Sequence, residues 1–123
     1  MIKDLSALTV DSGATLLQTI EAINAGAKQI ALVVDAEQKL LGTVTDGDVR
    51  RGLLRGLGLD ASVVEVMNKQ PHVASPEEDP QEVMAREYTK SIHQLPVIDA
   101  HGKLIGLLTD QDLLVAAEIS TPV

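Results

Sequence analysis

The sequence predicts an α/β (α+β) fold of two β-α-β-β-α repeats, related by pseudo-twofold symmetry and packed sheet to sheet. Three observations carry this. Sliding the 123-residue chain against itself by 64 positions lays Ala31–Asp48 over Leu95–Asp112; nine of the eighteen pairs are identical, among them Asp35/Asp99, Gly42/Gly106, Thr45/Thr109 and Asp48/Asp112. Short apolar runs alternate with helix-like spacing in the same order in both halves. Hydrophobic residues make up 45%, yet Tyr88 is the one Phe, Trp or Tyr, so the core must be aliphatic. A piece of about 55–60 residues would bury only about 60% of its unfolded surface, and two such pieces sharing a core avoid that marginal state.

Each half begins with a short strand, around Ala7–Val10 and His72–Ala74, followed by a polar turn at Asp11-Ser-Gly or Ser75-Pro-Glu-Glu. A helix follows, with Leu16, Leu17, Ile20 and Ile23 on its inner face in the first half and Val83, Met84 and Tyr88 in the second. Ile30–Val34 and Gln94–Ile98 read as buried strands. Tight turns through Asp35–Gln38 and Asp99–Gly102 lead into the hairpin partners Leu40–Thr45 and Leu104–Thr109. A closing helix starts near Asp46 or Asp110, with Val49, Leu53 and Leu54, or Leu113, Leu114 and Ala117, turned inward. The first repeat is placed at 1–60 and the second at 61–123, the latter including a short helix over 62–68 that stops before Pro71.

Composition excludes several classes of function. Ten Lys and Arg against eighteen Asp and Glu give a net charge of −8, against non-specific binding to DNA, RNA or an anionic membrane. The absence of Cys removes disulfides, thiolate metal sites and cysteine nucleophiles. Neither a membrane-spanning apolar run nor a signal-peptide core is visible, which points to a soluble cytoplasmic domain. His72, His93 and His101 lie on separate elements and make no metal-ligand spacing. There is no nucleophile elbow, and no enzymatic activity is expected.

The informative segment is Gly42-Thr-Val-Thr-Asp-Gly-Asp48, with its copy Gly106-Leu-Leu-Thr-Asp-Gln-Asp112. Both reduce to Gly-x-x-Thr-x-x-Asp, with Thr at a strand end and Asp in the first helical turn. Thr followed three residues later by an acid is the pattern of a capping box, which a helix start alone would explain. The same geometry also suits a ligand. A carboxylate there can accept hydrogen bonds from a ribose diol, while the helix N-terminus and the Thr hydroxyl suit a phosphate. Recurrence at equivalent places in both repeats favours the ligand reading.

With Leu95-Pro-Val-Ile-Asp99 before it and an Asp-x-x-Gly-Lys-Leu turn, this pattern resembles the cystathionine-β-synthase (CBS) domain, and two in tandem resemble a Bateman module. The likeness runs from about Leu8 to Ile119. It implies a regulatory module that needs no cofactor and binds AMP, ADP, ATP or S-adenosylmethionine in a cleft between repeats. Asp48 and Asp112 would hold ribose hydroxyls, and Thr45 and Thr109 would contact ribose or phosphate. Leu95 and Pro96 map to a purine-pocket wall, where the first half has Ala31 and Leu32. His93 stands where some such modules place a base against phosphate, with an unliganded surface histidine as the alternative. Arg50 and Arg51 could reach a phosphate or form surface ion pairs; the second half has Leu114 and Val115 there, so the two sites would not be equivalent. Thr45–Leu54 is further similar to the CBS pair of bacterial sugar-nucleotide (NDP-sugar) transferases, which implies an attached or partner catalytic domain. The family also implies a homodimer, and the alternative function is a dimerisation module with vestigial sites.

Overall fold

Along the described residues, 1–26 and 28–112 of the computed structural model, the order is β1 (Thr9–Asp11), α1 (Leu16–Gly26), β2 (Ile30–Val34), β3 (Leu40–Thr45) and α2 (Asp46–Leu54). A 3₁₀ turn (Val63–Glu65), α3 (Pro80–Tyr88), β4 (Gln94–Ile98) and β5 (Leu104–Thr109) follow. Residues 110–112 are helical. This is the mixed α/β repeat that the sequence predicts.

Contacts group the chain into two units: Leu5–Pro71, and Met1–Asp4 together with the chain from His72 onward. In the first, β1 runs parallel to β2 and β2 antiparallel to β3. Every residue of β2 is buried, as its unbroken Ile-Ala-Leu-Val-Val run requires. Leu16, Ile23, Ala31, Val33, Val44, Val49 and Val63 form the core between sheet and helices. Helix α1 opens on a reciprocal capping box. The Thr15 N–H donates to Gln18 Oε1 at 2.9 Å, and the Gln18 N–H donates to Thr15 Oγ1 at 3.2 Å. In the second unit β4 and β5 are antiparallel, and Ala74, Val83, Met84, Leu95, Val97 and Leu108 form the core. Asp79 caps α3 by accepting the Gln81 N–H at 3.1 Å, with Pro80 in the first turn.

The hairpin turns repeat in detail. Asp35 Oδ1 accepts the Glu37 and Lys39 N–H groups at 2.8 and 3.0 Å, and Asp99 Oδ1 accepts those of His101 and Lys103 at the same distances. The Lys103 and His101 amides hold the Asp99 carboxyl below its ordinary pKa. The turn needs a left-handed residue, which Gly102 supplies at φ 82° without strain and Gln38 at φ 66° against its Cβ.

Short segments that precede each repeat are exchanged. Asn68 pairs antiparallel with Thr43 on β3, and Ile2 pairs antiparallel with Leu107 at the equivalent place on β5. The division at 60/61 follows the repeat in the sequence, whereas the contact grouping follows this exchange.

Several expected inward faces turn out differently. Leu53 and Leu54 are exposed, Leu54 at 81%, while Val49 and Gly52 face the core. The reason is close approach: a Cβ on Gly52 would lie 2.5 Å from Val66 Cγ1, so α2 rests on its glycine and the leucines rotate outward. In α1, Leu17 is exposed and Thr19 is buried, its hydroxyl donating to the Thr15 carbonyl at 2.9 Å. In α3, Glu87 is buried where Tyr88 was expected to be. The short helix over 62–68 is one 3₁₀ turn, and the strand over 72–74 reduces to a single bridge between Ala74 and Val97. Leu113, Leu114 and Ala117 lie outside the described residues.

Candidate functional site

Strand β3 delivers Thr45 to the start of α2 in extended conformation, and Asp48 follows one turn later. The Thr45 N–H and hydroxyl both donate to Asp48 Oδ2, at 3.0 and 3.1 Å. The other oxygen, Oδ1, accepts a 2.7 Å hydrogen bond from Arg51 Nη2. The returning half of a capping box is therefore in place, and the carboxylate remains 16% exposed. Gly42 is required by the strand beneath. A Cβ there would lie 2.7 Å from the Asn68 carbonyl oxygen and 2.9 Å from Met67 Sδ.

The second motif repeats the arrangement with different partners. The Thr109 N–H donates to Asp112 Oδ2 at 2.8 Å, and the Gln111 N–H donates to Thr109 Oγ1 at 3.2 Å. Asp112 Oδ1 accepts from the Met1 amino group. Met1 lies against Gly106 as Met67 lies against Gly42. Thus each motif aspartate keeps one oxygen on its own threonine amide and offers the other to a cation.

Beside the first motif is a concavity of about 380 Å³ lined by Asp48, Arg51, Leu54, Arg55 and Val66, within the size range of small-molecule sites. Asp48, Arg51 and Arg55 follow one another at three and four residues along one helix face. Arg55 Nη2 donates to the Glu65 carbonyl at 2.8 Å, which ties that arginine to the 3₁₀ turn.

The other sequence-predicted residues are dispersed. Leu32, Leu95 and Pro96 are fully buried on β2 and β4 and do not border this concavity. Leu95 belongs to the core beneath α3, and Pro96, next along the strand, points to the opposite sheet face. His93 Nδ1 lies 3.1 Å from Asp110 Oδ2, and its ring stands edge-on to Tyr88 with centroids 5.0 Å apart. Arg50 is exposed and makes no polar contact among the described residues; Arg51, three residues from Asp48 rather than two, is the one on its face. Arg55, Met1 and Met67 lie beside the two motifs without belonging to their Gly-x-x-Thr-x-x-Asp pattern. Helical spacing from Asp48 signals Arg55, and the match of Met1-Ile-Lys3 to Met67-Asn-Lys69 signals the methionines.

A separate polar cluster surrounds Glu87, which is 4% exposed. Its carboxylate lies 2.9 Å from His72 Nδ1, 3.4 Å from Arg86 Nε and 3.7 Å from Lys90 Nζ. Burial pushes its pKa up, but the His72 hydrogen bond and the Lys90, His72 and Arg86 interactions together leave it below the ordinary glutamate value of 4.5. Among the described residues no three His, Asp or Glu side chains converge as metal ligands, and no helix is long and apolar enough to cross a membrane.

The CBS-domain family model matches residues 1–55 and 63–118. Inosine-5'-monophosphate dehydrogenase of Methanocaldococcus jannaschii is 29% identical over 114 residues, which is 93% of this chain and 22% of that protein. The chain spans 16–30% of the length of such curated relatives. Among solved structures, CBSX2 in complex with AMP superposes with a TM-score of 0.80 at 23% identity, covering 98% of this chain and 95% of that one. The CBS domain pair of protein MJ0100, in complex with 5-methylthioadenosine and S-adenosyl-L-methionine, gives 0.76 at 20% identity, covering 89% and 90%. At these identities the likeness establishes the fold.

Proposed function

The chain belongs to the CBS-domain family, with two copies in tandem, and from that premise we propose that it is a regulatory module whose ligand is an adenosine-containing nucleotide or S-adenosylmethionine. The observation that carries the reading is the twice-built turn: Thr45 with Asp48, and Thr109 with Asp112, in the same bond from threonine N–H to aspartate Oδ2. Each carboxylate has a second oxygen to which a ribose diol donates. The AMP and S-adenosyl-L-methionine complexes of CBSX2 and MJ0100 support the ligand class.

The module carries occupancy to an attached or partner protein, and the ligand shifts that partner only as far as its affinities for two states differ. Its relatives are longer proteins, in keeping with an attached enzyme. The finer proposal, a sugar-phosphate nucleotidyltransferase as that enzyme, rests on the Thr45–Leu54 stretch alone. Calorimetric titration of the chain with AMP, ADP, ATP and S-adenosylmethionine, and with GTP as control, tests the reading. Saturable binding of an adenosyl compound that Asp48→Asn or Asp112→Asn weakens supports it, and no binding of any of them overturns it.

A second reading, homodimerisation, is favoured by one observation. Leu17, Leu53, Leu54 and Leu59 are all exposed on α1, α2 and the turn after it, and the Leu17 N–H donates to the Leu59 carbonyl at 3.0 Å. Exposed apolar clusters of this kind mark association surfaces. Sedimentation of Leu54→Glu against the unmodified chain tests it, with loss of a dimer expected.

A further inference from the structure

We propose that Arg51 is the residue by which the first motif selects phosphorylated adenosyl ligands: it neutralises Asp48 in the free chain and turns to the phosphate when a ribose diol takes its place. The inference rests on the adenosyl reading above and adds to it a specificity-determining side chain.

The argument starts from the lone pairs of one carboxylate. Asp48 Oδ2 already accepts two hydrogen bonds from Thr45, and Oδ1 accepts one from Arg51. A carboxylate offers about four such positions, so a diol donating two bonds must displace a partner. The Thr45 amide is fixed by the β3–α2 junction. The Arg51 side chain is 69% exposed and, among the described residues, held by this bond alone, and exposed ion pairs contribute little. Arg51 is therefore the partner that leaves.

Its destination follows from charge and place. The chain carries −8, and a bound nucleotide brings further negative charge beside Asp48, so a phosphate there needs a local cation. Arg51 and Arg55 line the concavity that Asp48 lines, with Leu54 and Val66 as its apolar side. Arg55 is engaged by the Glu65 carbonyl. The freed guanidinium of Arg51, by contrast, can form a charge-assisted pair with phosphate oxygens. Arg50, which does not line this concavity, is excluded from the role. At the equivalent place in the second repeat the sequence has Val115, so the selection belongs to the first motif.

The test uses the full chain carrying Asp112→Asn, which isolates the first motif, titrated calorimetrically with AMP and with adenosine. In this background AMP is expected to bind roughly tenfold tighter, the worth of one charge-assisted hydrogen bond. Adding Arg51→Gln brings the two ligands to within about threefold, chiefly by weakening AMP, while adenosine holds or gains affinity because its competitor for Asp48 is gone. Arg50→Gln leaves the ratio unchanged. Equal binding of AMP and adenosine before the Arg51 change, or an unaltered ratio after it, overturns the inference and leaves the adenosyl reading standing. Binding by the unmodified chain that Asp112→Asn abolishes has the same consequence. Failure of the unmodified chain to bind AMP or adenosine overturns the inference, and the adenosyl reading falls with it only when ADP, ATP and S-adenosylmethionine also fail to bind.

Discussion

Glu87 Oε2 lies 2.9 Å from His72 Nδ1, and these two residues occupy the places that Ile23 and Leu8, both buried, hold 64 positions earlier. Two buried apolar places of one repeat thus hold, in the other, a buried carboxylate and an exposed histidine hydrogen-bonded to it. Removing a buried carboxylate leaves its partners' interactions unmet, whereas replacing it together with its partner by apolar residues is often neutral or stabilising. Glu87→Gln is expected to cost about 1–3 kcal/mol, in the range for a buried charge-assisted hydrogen bond. His72→Leu/Glu87→Ile is expected within about 1 kcal/mol of the unmodified chain, or above it. Urea unfolding of the three proteins checks both values.

The same carboxylate sets an acid dependence. Its folded pKa lies below the ordinary 4.5, so its contribution to stability is fully present above that value and is lost as pH falls through the lower, folded-state one. Urea midpoints measured between about pH 6 and pH 3 should fall more steeply for the unmodified chain than for Glu87→Gln. Parallel curves would remove Glu87 from the account.

Gly42 and Gly106 are equivalent in the repeat but not in what surrounds them. A Cβ at Gly42 meets the carbonyl oxygen of Asn68, whose backbone exchanges two hydrogen bonds with that of Thr43, whereas the nearest atoms to one at Gly106 belong to the half-exposed Met1 side chain. Backbone cannot yield as a thioether can. Gly42→Ala should destabilise by about 1–3 kcal/mol, as overpacking does, and Gly106→Ala by clearly less, measured by thermal unfolding.

Asp48 serves both as helix cap and as proposed ligand acceptor, and two substitutions separate the roles. Asp48→Ala removes the acceptor for the Thr45 N–H and should cost about 1 kcal/mol of stability together with ligand affinity. Asp48→Asn keeps an acceptor for that N–H but offers a ribose diol a weaker partner, so stability should stay close to the unmodified chain while AMP affinity falls about tenfold or more. Thermal unfolding alongside calorimetry distinguishes the two.

What was legible in the sequence was whatever short-range chemistry decides. The hairpins at 30–45 and 94–109, the aspartate-held turns and the Thr–Asp helix starts all follow from residues within a few positions of one another. What was not legible depends on contacts made across the fold. Leu53 and Leu54 have helical spacing suited to an inner face, but Gly52 brings α2 down onto Val66 and turns them out. The sequence around Glu87 gives no sign of its burial, because one of its partners, His72, lies 15 residues earlier. The exchanged segments around Ile2 and Asn68 match at a spacing of 66 rather than 64 and so fall outside the 64-residue repeat. In the site, Thr45, Asp48, Thr109 and Asp112 could be picked out by their recurrence. Arg50 and Arg51 both follow Asp48 within one turn in the sequence, and the side-chain contact on α2 decides for Arg51.

The most direct measurement is thermal unfolding of the unmodified chain and of Asp48→Asn/Asp112→Asn, each with AMP, ADP, ATP, S-adenosylmethionine, NAD, GTP and buffer. At about 100 times its Kd a ligand stabilises the fold by about 2.7 kcal/mol, a rise of several degrees in Tm. The account predicts that rise for one or more adenosyl compounds, not for GTP, and its loss in the double variant. No rise with any adenosyl compound, or an equal rise in the double variant, would contradict it and leave the two aspartates as helix caps.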